Sequence, residues 1–133
     1  MNPILRAALS RILGDRGEHC AARYLRKQGM RILLRGYRTA QGEIDLIARD
    51  GDVLVFVEVK SRRRGEPAEA VTSEKQRRLT LAALHFLARH KLLENQSARF
   101  DVVAIVWPDD REQPAIEHYR NAFESVGRGQ FFR

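Results

Sequence analysis

The sequence lacks the features of secreted and membrane-spanning proteins. It has a single cysteine, Cys20, which excludes an internal disulfide and fits a reducing compartment. No apolar run approaches the roughly 20 residues that a bilayer-spanning helix needs. Arginines interrupt residues 1–18, so this stretch does not form the apolar segment of a signal peptide. There are no internal repeats. We therefore expect a cytoplasmic protein with no membrane partner.

The sequence has fewer acidic residues than basic ones, 17 against 24, and this excess of positive charge indicates which kind of partner the protein binds. The 133 residues carry a net charge of +7, and 20 of the 24 basic residues are arginine, whose planar fork suits phosphate. This charge favours a nucleic-acid partner, although a GC-rich genome produces arginine-rich proteins as well. The length predicts a single domain, with a core of about residues 14–123 and a loosely ordered C-terminal tail at 124–133.

The N-terminal part predicts two helical segments. Residues 3–13 form the first, which ends at Gly14. Asp15 can then cap a second helix over 16–28, with Gly29 placed to stop it. The inward positions of this second helix, spaced three and four apart, are Glu18, Ala21, Ala22 and Leu25. A carboxylate within an otherwise apolar stripe is unusual and marks that position for attention.

The remaining segments predict a mixed sheet. Strand-like patterns occur at 30–38, 43–49, 53–61 and 99–107, and 115–119 adds a candidate edge strand. Asp50-Gly51 predicts a two-residue hairpin turn, and Ser73 with Gln76 forms a capping box for a helix over 74–90. The order α-β-β-β-α-β makes the third and fourth strands parallel, joined by a right-handed crossover. We expect an α/β protein with helices on both faces of a mixed sheet.

The hairpin register brings two acids and a lysine together. If Asp50-Gly51 is the turn, Asp45 pairs with Phe56, and Asp45, Glu58 and Lys60 emerge on one side of the sheet. The two carboxylates are then diagonal neighbours about 7–8 Å apart. Their repulsion calls for a cation, and Mg²⁺ or Mn²⁺ suits oxygen ligands that leave room for water and phosphate. The alternative is a salt-bridge cluster at a solvated strand end.

Other polar residues surround this predicted site. The same register places Glu43 opposite Glu58, as an extra ligand or, as we favour, pointing to solvent or pairing with an arginine. Basic side chains at its rim are candidates for phosphate contact, or else form solvated basic faces; they are Arg62, Arg63, Arg64, Lys75, Arg77 and Arg78. The four histidines have no metal-ligand spacing. Tyr37 and Trp107 can stack on bases, but core or strand-end packing is the favoured interpretation.

Several motifs, taken in order, resemble a known family. GEIDLI (42–47) followed by VFVEVKSR (55–62) resembles the PD-(D/E)xK nuclease core, in which an acid on one strand precedes E-x-K on the next. The whole chain resembles the YraN family of small bacterial proteins, through four further segments: GDRGEHCAARYL (14–25), KQRRL (75–79), RFDVVAI (99–105) and NAF (121–123). The usual proline before the first strand acid is absent, and Ile44 stands in its place.

The resemblance implies a restriction-endonuclease-like fold of αβββαβ order, in a superfamily that includes archaeal Holliday-junction resolvases. It implies Mg²⁺- or Mn²⁺-dependent hydrolysis of DNA phosphodiesters, on branched or structured DNA in repair or recombination. Asp45, Glu58 and Glu18 would be metal ligands, Lys60 would act on the attacking water, and Gln76 would support that lysine or the substrate. A non-catalytic nucleic-acid-binding accessory protein on the same fold is the alternative. A homodimer or a protein partner stays open.

Overall fold

A computed structural model describes residues 2–109 and 113–125, and within α1 it describes Ala7 and residues 9–13 by their backbone alone. The described elements, in chain order, are α1 (Pro3–Lys27), β1 (Arg31–Arg38), β2 (Glu43–Asp50), β3 (Val53–Arg63), α2 (Ser73–Arg89), β4 (Ala98–Trp107) and β5 (Ala115–Phe123). None of these helices combines the length and the apolar character that crossing a bilayer requires.

The five strands form one mixed sheet in the spatial order β1-β2-β3-β4-β5. β3 and β4 are parallel and joined through α2, and the other neighbouring pairs are antiparallel. The predicted α/β class and the order α-β-β-β-α-β are therefore confirmed, with β5 as the added edge strand. The arrangement is consistent with a restriction-endonuclease-like core.

Each face of the sheet is covered by one helix, as predicted. On one face α1 presents the small side chains of Ala21 and Ala22 together with Leu25, which pack against Val55 and Val57 of β3. Small residues let the helix lie close to the central strands. Gly17 extends this close approach, because a Cβ at that position would lie 2.6 Å from the hydroxyl of Ser61.

On the other face α2 packs its apolar stripe against the same central strands. Phe86 meets Phe56 edge to face, with ring centroids 5.9 Å apart, and Leu79 and Leu87 complete the contact. Aromatic pairs prefer such T-shaped geometry. The predicted capping box is wrong, because Thr72 caps this helix by accepting a hydrogen bond from the Lys75 N–H.

The predicted break at Gly14 is also wrong, since α1 runs unbroken from Pro3 to Lys27. The side chain of Asn2 caps it, and Asp15 lies inside the helix. A single interior glycine costs a helix about 1 kcal/mol, which neighbouring helical turns can offset. The predicted stop is confirmed: Gly29 takes φ +95°, and the N–H of Met30 bonds to the Leu25 carbonyl, the Schellman arrangement.

The β2–β3 hairpin turns one residue later than predicted. Asp50 pairs with Val53, so Gly51 and Asp52 form the turn, with Gly51 at φ +60° in the first central position. A type II′ turn places glycine at that position. The regular ladder runs from this turn as far as Leu46, which pairs with Val57.

Strand β5 is longer than the predicted 115–119, because it continues to Phe123. Two contacts explain its length. The fully buried Asp101 carboxylate accepts hydrogen bonds from the Asn121 N–H at 2.9 Å and from His118 at 2.8 Å. Phe123 stacks on Phe100, with centroids 4.8 Å apart. Of the predicted tail, residues 126–133 lie outside the described residues.

Candidate functional site

Asp45 lies where β2 and β3 part. The regular pairing ends at Leu46, and beyond it the Val59 N–H donates to the Asp45 carboxylate at 2.8 Å instead of to a backbone carbonyl of β2. Ile44 and Ile47, three residues apart, both pack in the cluster on the α2 side. Strict strand alternation would place them on opposite faces. The predicted alternation therefore fails here, and Asp45 occupies the gap between the two strands.

Glu58 is the most deeply buried of the three predicted metal-ligating acids, with 5% of its surface exposed. Its side chain projects from β3 toward α2, on the same face of the sheet as Phe56 two residues earlier. Burial, and after it the negative charge of Asp45, raise its pKa from 4.5 to about 7. Its Oε2 atom is buried and has no hydrogen-bond partner among the described residues. An unpartnered buried carboxylate oxygen is costly unless a cation or a proton reaches it.

Glu18 joins the cluster from α1. Burial, the charge of Asp45 and a hydrogen bond between the two carboxyl groups, in that order of size, raise the pKa of Glu18 from 4.5 to about 7. Burial also raises the pKa of Asp45, against the lowering effect of the Val59 N–H. The carboxylate noted as unusual on the inner stripe of α1 therefore meets Asp45. Asp45 of β2 thus interacts electrostatically with Glu18 of α1 and with Glu58 of β3.

Lys75 is the cation nearest to this acid cluster. Its Nζ lies 3.7 Å from Glu58 Oε1, and its charge lowers the pKa of both Glu58 and Asp45. The side chain comes from the first turn of α2, where the Thr72 cap fixes the backbone. From the sequence alone, Lys75 is predicted only as a phosphate-contacting residue. No spacing signal indicates its partner, because the contact joins residues 17 positions apart in the chain.

Lys60 follows Glu58 by two positions on β3, and the charge of Lys60 lowers the pKa of Glu58. Its ammonium group lies 3.9 Å from Glu69, whose side chain is 83% exposed. An exposed ion pair of this length contributes little to stability. Lys60 is therefore held weakly by a loop carboxylate and can turn toward another anion.

Lys60, whose charge acts on Glu58, lines a cleft of about 550 Å³ together with Gln76, whereas none of the three acids lines it. The Gln76 amide donates to the Val71 carbonyl at 2.9 Å, and this bond ties the segment before α2 to the helix. Arg62 and Tyr119 also line this cleft. The structure brings Lys60 and Gln76 to one cavity, with Gln76 bonded to Val71.

The basic residues predicted at the rim of the site have different surroundings in the structure. Arg62 lines the cleft that contains Lys60, whereas Arg63 lines a separate cleft beside α1. Arg77 and Arg78 both pair with the exposed Glu74, at 2.8 and 3.7 Å. Arg62 and Arg63 thus lie at two different clefts, and Arg77 and Arg78 share one acidic partner on α2. Glu43 pairs with Arg38 at 3.5 Å, as the favoured interpretation predicted.

The β1–β2 loop packs against α2 through a glycine contact that the sequence did not reveal. A Cβ at Gly42 would lie 2.8 Å from the Arg78 carbonyl oxygen, so only glycine lets the loop rest on the start of α2. The loop is internally bonded, since the Thr39 hydroxyl accepts from the N–H groups of Gln41 and Gly42. Within the described ranges, no three or more His, Cys, Asp or Glu side chains are already arranged to hold a metal ion.

Comparisons with known proteins identify the family. The sequence profile of the family described as "Uncharacterised protein family UPF0102" matches residues 17–105. A UPF0102 protein of Rhodococcus opacus is 54% identical over 114 residues, which are 84% of this chain and 95% of that protein. A UPF0102 protein of Geobacter sulfurreducens is 51% identical over 120 residues, covering 86% and 91%. One of Rhodopirellula baltica is 46% identical over 126 residues, covering 90% and 75%. The chain therefore belongs to family UPF0102, the YraN family.

Proposed function

We propose that this protein is a metal-dependent nuclease that hydrolyses DNA phosphodiester bonds, with branched or structured DNA in repair or recombination as its substrate. One observation carries the proposal: Glu58 is buried, its Oε2 lacks a partner among the described residues, and Asp45 adds a second negative charge beside it. Burying an unpartnered carboxylate oxygen beside a second acid costs folding free energy unless a cation or a proton compensates it. Strongly perturbed acids beside a cleft favour a functional site.

The donor set fits Mg²⁺ or Mn²⁺. These ions take oxygen ligands and are often held by one or two carboxylates, with water and substrate phosphate in the other positions. Asp45 and Glu58 would supply the two carboxylates, and Glu18 would add a third after losing its proton. Two protein ligands suffice for this coordination, which is compatible with the absence of a ready-made group of three among the described residues.

In hydrolysis, water attacks the phosphorus atom, the bond to the leaving oxygen breaks, and that oxygen takes up a proton. A bound divalent ion supplies Lewis-acid activation of the water and of a phosphoryl oxygen. Lys60 would orient the attacking water and stabilise the charge that develops on the phosphoryl group. Its weak pairing with Glu69 supports this role, because the ammonium group can leave that partner at little cost. Gln76 would keep the wall of the cleft in place through Val71.

The test separates metal binding from cutting. Purified protein should gain thermal stability with millimolar Mn²⁺, since a ligand bound only by the folded chain stabilises it, and Asp45→Asn should lose this gain. With Mn²⁺, the wild-type protein should cut some DNA structure, whereas Lys60→Ala should bind it and cut about a hundredfold more slowly. Lys91→Asn is the matched control: this lysine adopts φ +58°, which asparagine tolerates.

The substrates tested for cutting should include four-way junctions, flaps, single strands and RNA. Failure to cut any of them, while Mn²⁺ binds through Asp45, would favour the non-catalytic accessory protein. The pairing of Lys75 with Glu58 supports that alternative, because it already neutralises part of the acid cluster without metal. Cutting that survives both Lys60→Ala and Glu58→Ala would point to a contaminating nuclease and remove the support for the proposal.

A further inference from the structure

A second cleft, of about 990 Å³, lies on the α1 side of the sheet, between α1 and the carboxyl end of β4. We name it the α1–Trp107 cleft. Its cationic lining consists of Arg16, Arg23, Lys27 and Arg63. The first three recur on one strip of α1 and span about 16 Å along the helix axis at 1.5 Å per residue. That distance is longer than one phosphate group can bridge.

Trp107 forms a fixed aromatic wall of this cleft. Its indole N–H donates to the Ser61 hydroxyl at 2.8 Å, which sets the orientation of the ring. The guanidinium of Arg16 lies 4.6 Å from the ring centroid, in a cation–π contact. The ring is half-buried and packs at the border of the core cluster on the α1 side. The favoured prediction of strand-end packing is thus confirmed, and the same ring also faces the cleft.

The described residues that line this cleft carry a net positive charge. Among the described residues, none of its four lysine and arginine side chains lies within 4.0 Å of a carboxylate, whereas Arg77 and Arg99 elsewhere are paired. Asp15 and Asp109 also line the cleft, and four cations against two acids leave it net positive. A cleft lined mainly by one sign of charge concentrates ligands of the opposite sign.

We propose that the α1–Trp107 cleft binds a single-stranded segment of nucleic acid, with a base against Trp107 and Arg16 and successive phosphates on Arg23, Lys27 and Arg63. Basic side chains that follow a backbone, combined with an aromatic face for a base, are what single-strand binding requires. The inference rests on the proposed function only in its substrate class, and no cleft residue is assigned to cutting.

The chain offers a direct probe, because Trp107 is its sole tryptophan. An oligothymidylate of about ten nucleotides, within the site sizes of single-strand binders, should quench Trp107 fluorescence saturably in EDTA, where no cutting occurs. The double variant Arg23→Ala/Lys27→Ala should lower the affinity about tenfold or more. It should also make the log-log salt slope shallower by about 1.4, since each lost contact removes about 0.7. The control double variant Arg49→Ala/Arg89→Ala removes two exposed charges that do not line the cleft and should bind normally.

Three results would overturn the proposal. The first is a quench that the Arg23/Lys27 double variant leaves unchanged while circular dichroism shows it folded; Arg23→Gln/Lys27→Gln repeats the test with longer side chains. The second is quenching by thymidine monophosphate at the same affinity, which would identify a site for small anions. The third is a wild-type protein that cuts DNA but shows no saturable quench, which would reject this cleft and leave the proposed nuclease standing. A saturable quench in a wild-type protein that cuts nothing would reject the nuclease alone. Lys60→Ala should keep the quench while it cuts about a hundredfold more slowly.

Discussion

Replacing Glu58 with glutamine should change the pH dependence of stability in a defined way. The pKa of Glu58 is raised from 4.5 to about 7 by burial and by the charge of Asp45. A carboxyl group with a raised pKa binds its proton more tightly in the folded chain than in the unfolded chain. Its protonation therefore stabilises the metal-free protein fully below pH 4.5, and this contribution falls as the pH rises and is lost above about pH 7. Glutamine at this position is neutral throughout.

The expected magnitude follows from the size of the shift. About 2.5 pH units at 1.36 kcal/mol per unit gives about 3 kcal/mol, by which the wild type should lose stability relative to Glu58→Gln between pH 4.5 and pH 7. For a chain of this length that is a relative change of about 10 °C in Tm. The difference between the two proteins is the quantity to compare, since it removes most of the contributions of the other titrating groups.

Urea denaturation in EDTA at pH 5, 6, 7 and 8 measures this difference. With saturating Mn²⁺ at pH 8, the wild type should recover stability, by about 2.7 kcal/mol at a hundred times Kd, and Glu58→Gln should not. A pH-independent difference would refute the reasoning. So would a wild type that gains stability relative to the variant as the pH rises, because Glu58 would then behave as an ordinary ion-paired acid of Lys75.

Two further predictions concern neighbouring residues. Lys75→Met should bind Mn²⁺ more tightly in calorimetric titration, because the ammonium group 3.7 Å from Glu58 no longer competes for that carboxylate; unchanged or weaker binding would contradict this. Gly42→Ala should lower stability in thermal unfolding by about 1–3 kcal/mol, since its Cβ would lie 2.8 Å from the Arg78 carbonyl. Its control is Gly14→Ala, whose Cβ meets nothing within 4 Å inside α1 and which should stabilise by about 0.5–1 kcal/mol.

The fold was predictable from the sequence wherever local chemistry decides it. Gly29 ends α1 because the Schellman arrangement needs a positive φ, and that requirement is visible in the sequence. Gly14 misled the prediction because its cost within a helix is small and the helical turns on either side continue through it. β5 was predicted too short, since its end depends on the buried carboxylate of Asp101, a partner about 20 residues away.

The members of the candidate site were easier to predict than their geometry. Sequence reasoning named Glu18, Asp45 and Glu58, but it brought Asp45 and Glu58 together by strict alternation on a hairpin with the wrong turn. With the actual turn, each β2 residue pairs with a β3 residue two positions later than predicted, for example Ile47 with Phe56. A shift of two keeps every side chain on its predicted face of the sheet, but the alternation along β2 then fails next to Asp45. Lys75 was missed as the counter-charge of Glu58 because the loop before α2 determines where α2 begins relative to β3, and no residue pattern encodes that position.

The parting of β2 from β3 explains why acids gather at this place in the sheet. A strand that loses its neighbour leaves a backbone N–H without a partner, and burying it unpaired costs free energy. The Asp45 carboxylate satisfies the Val59 N–H, so Asp45 contributes to the fold even without a ligand. Glu58 does the opposite, because its Oε2 is buried without a partner among the described residues. The two acids should therefore respond differently to replacement in the absence of metal: replacing Asp45 should destabilise the strand end, whereas replacing Glu58 removes a buried carboxylate oxygen that has no partner among the described residues.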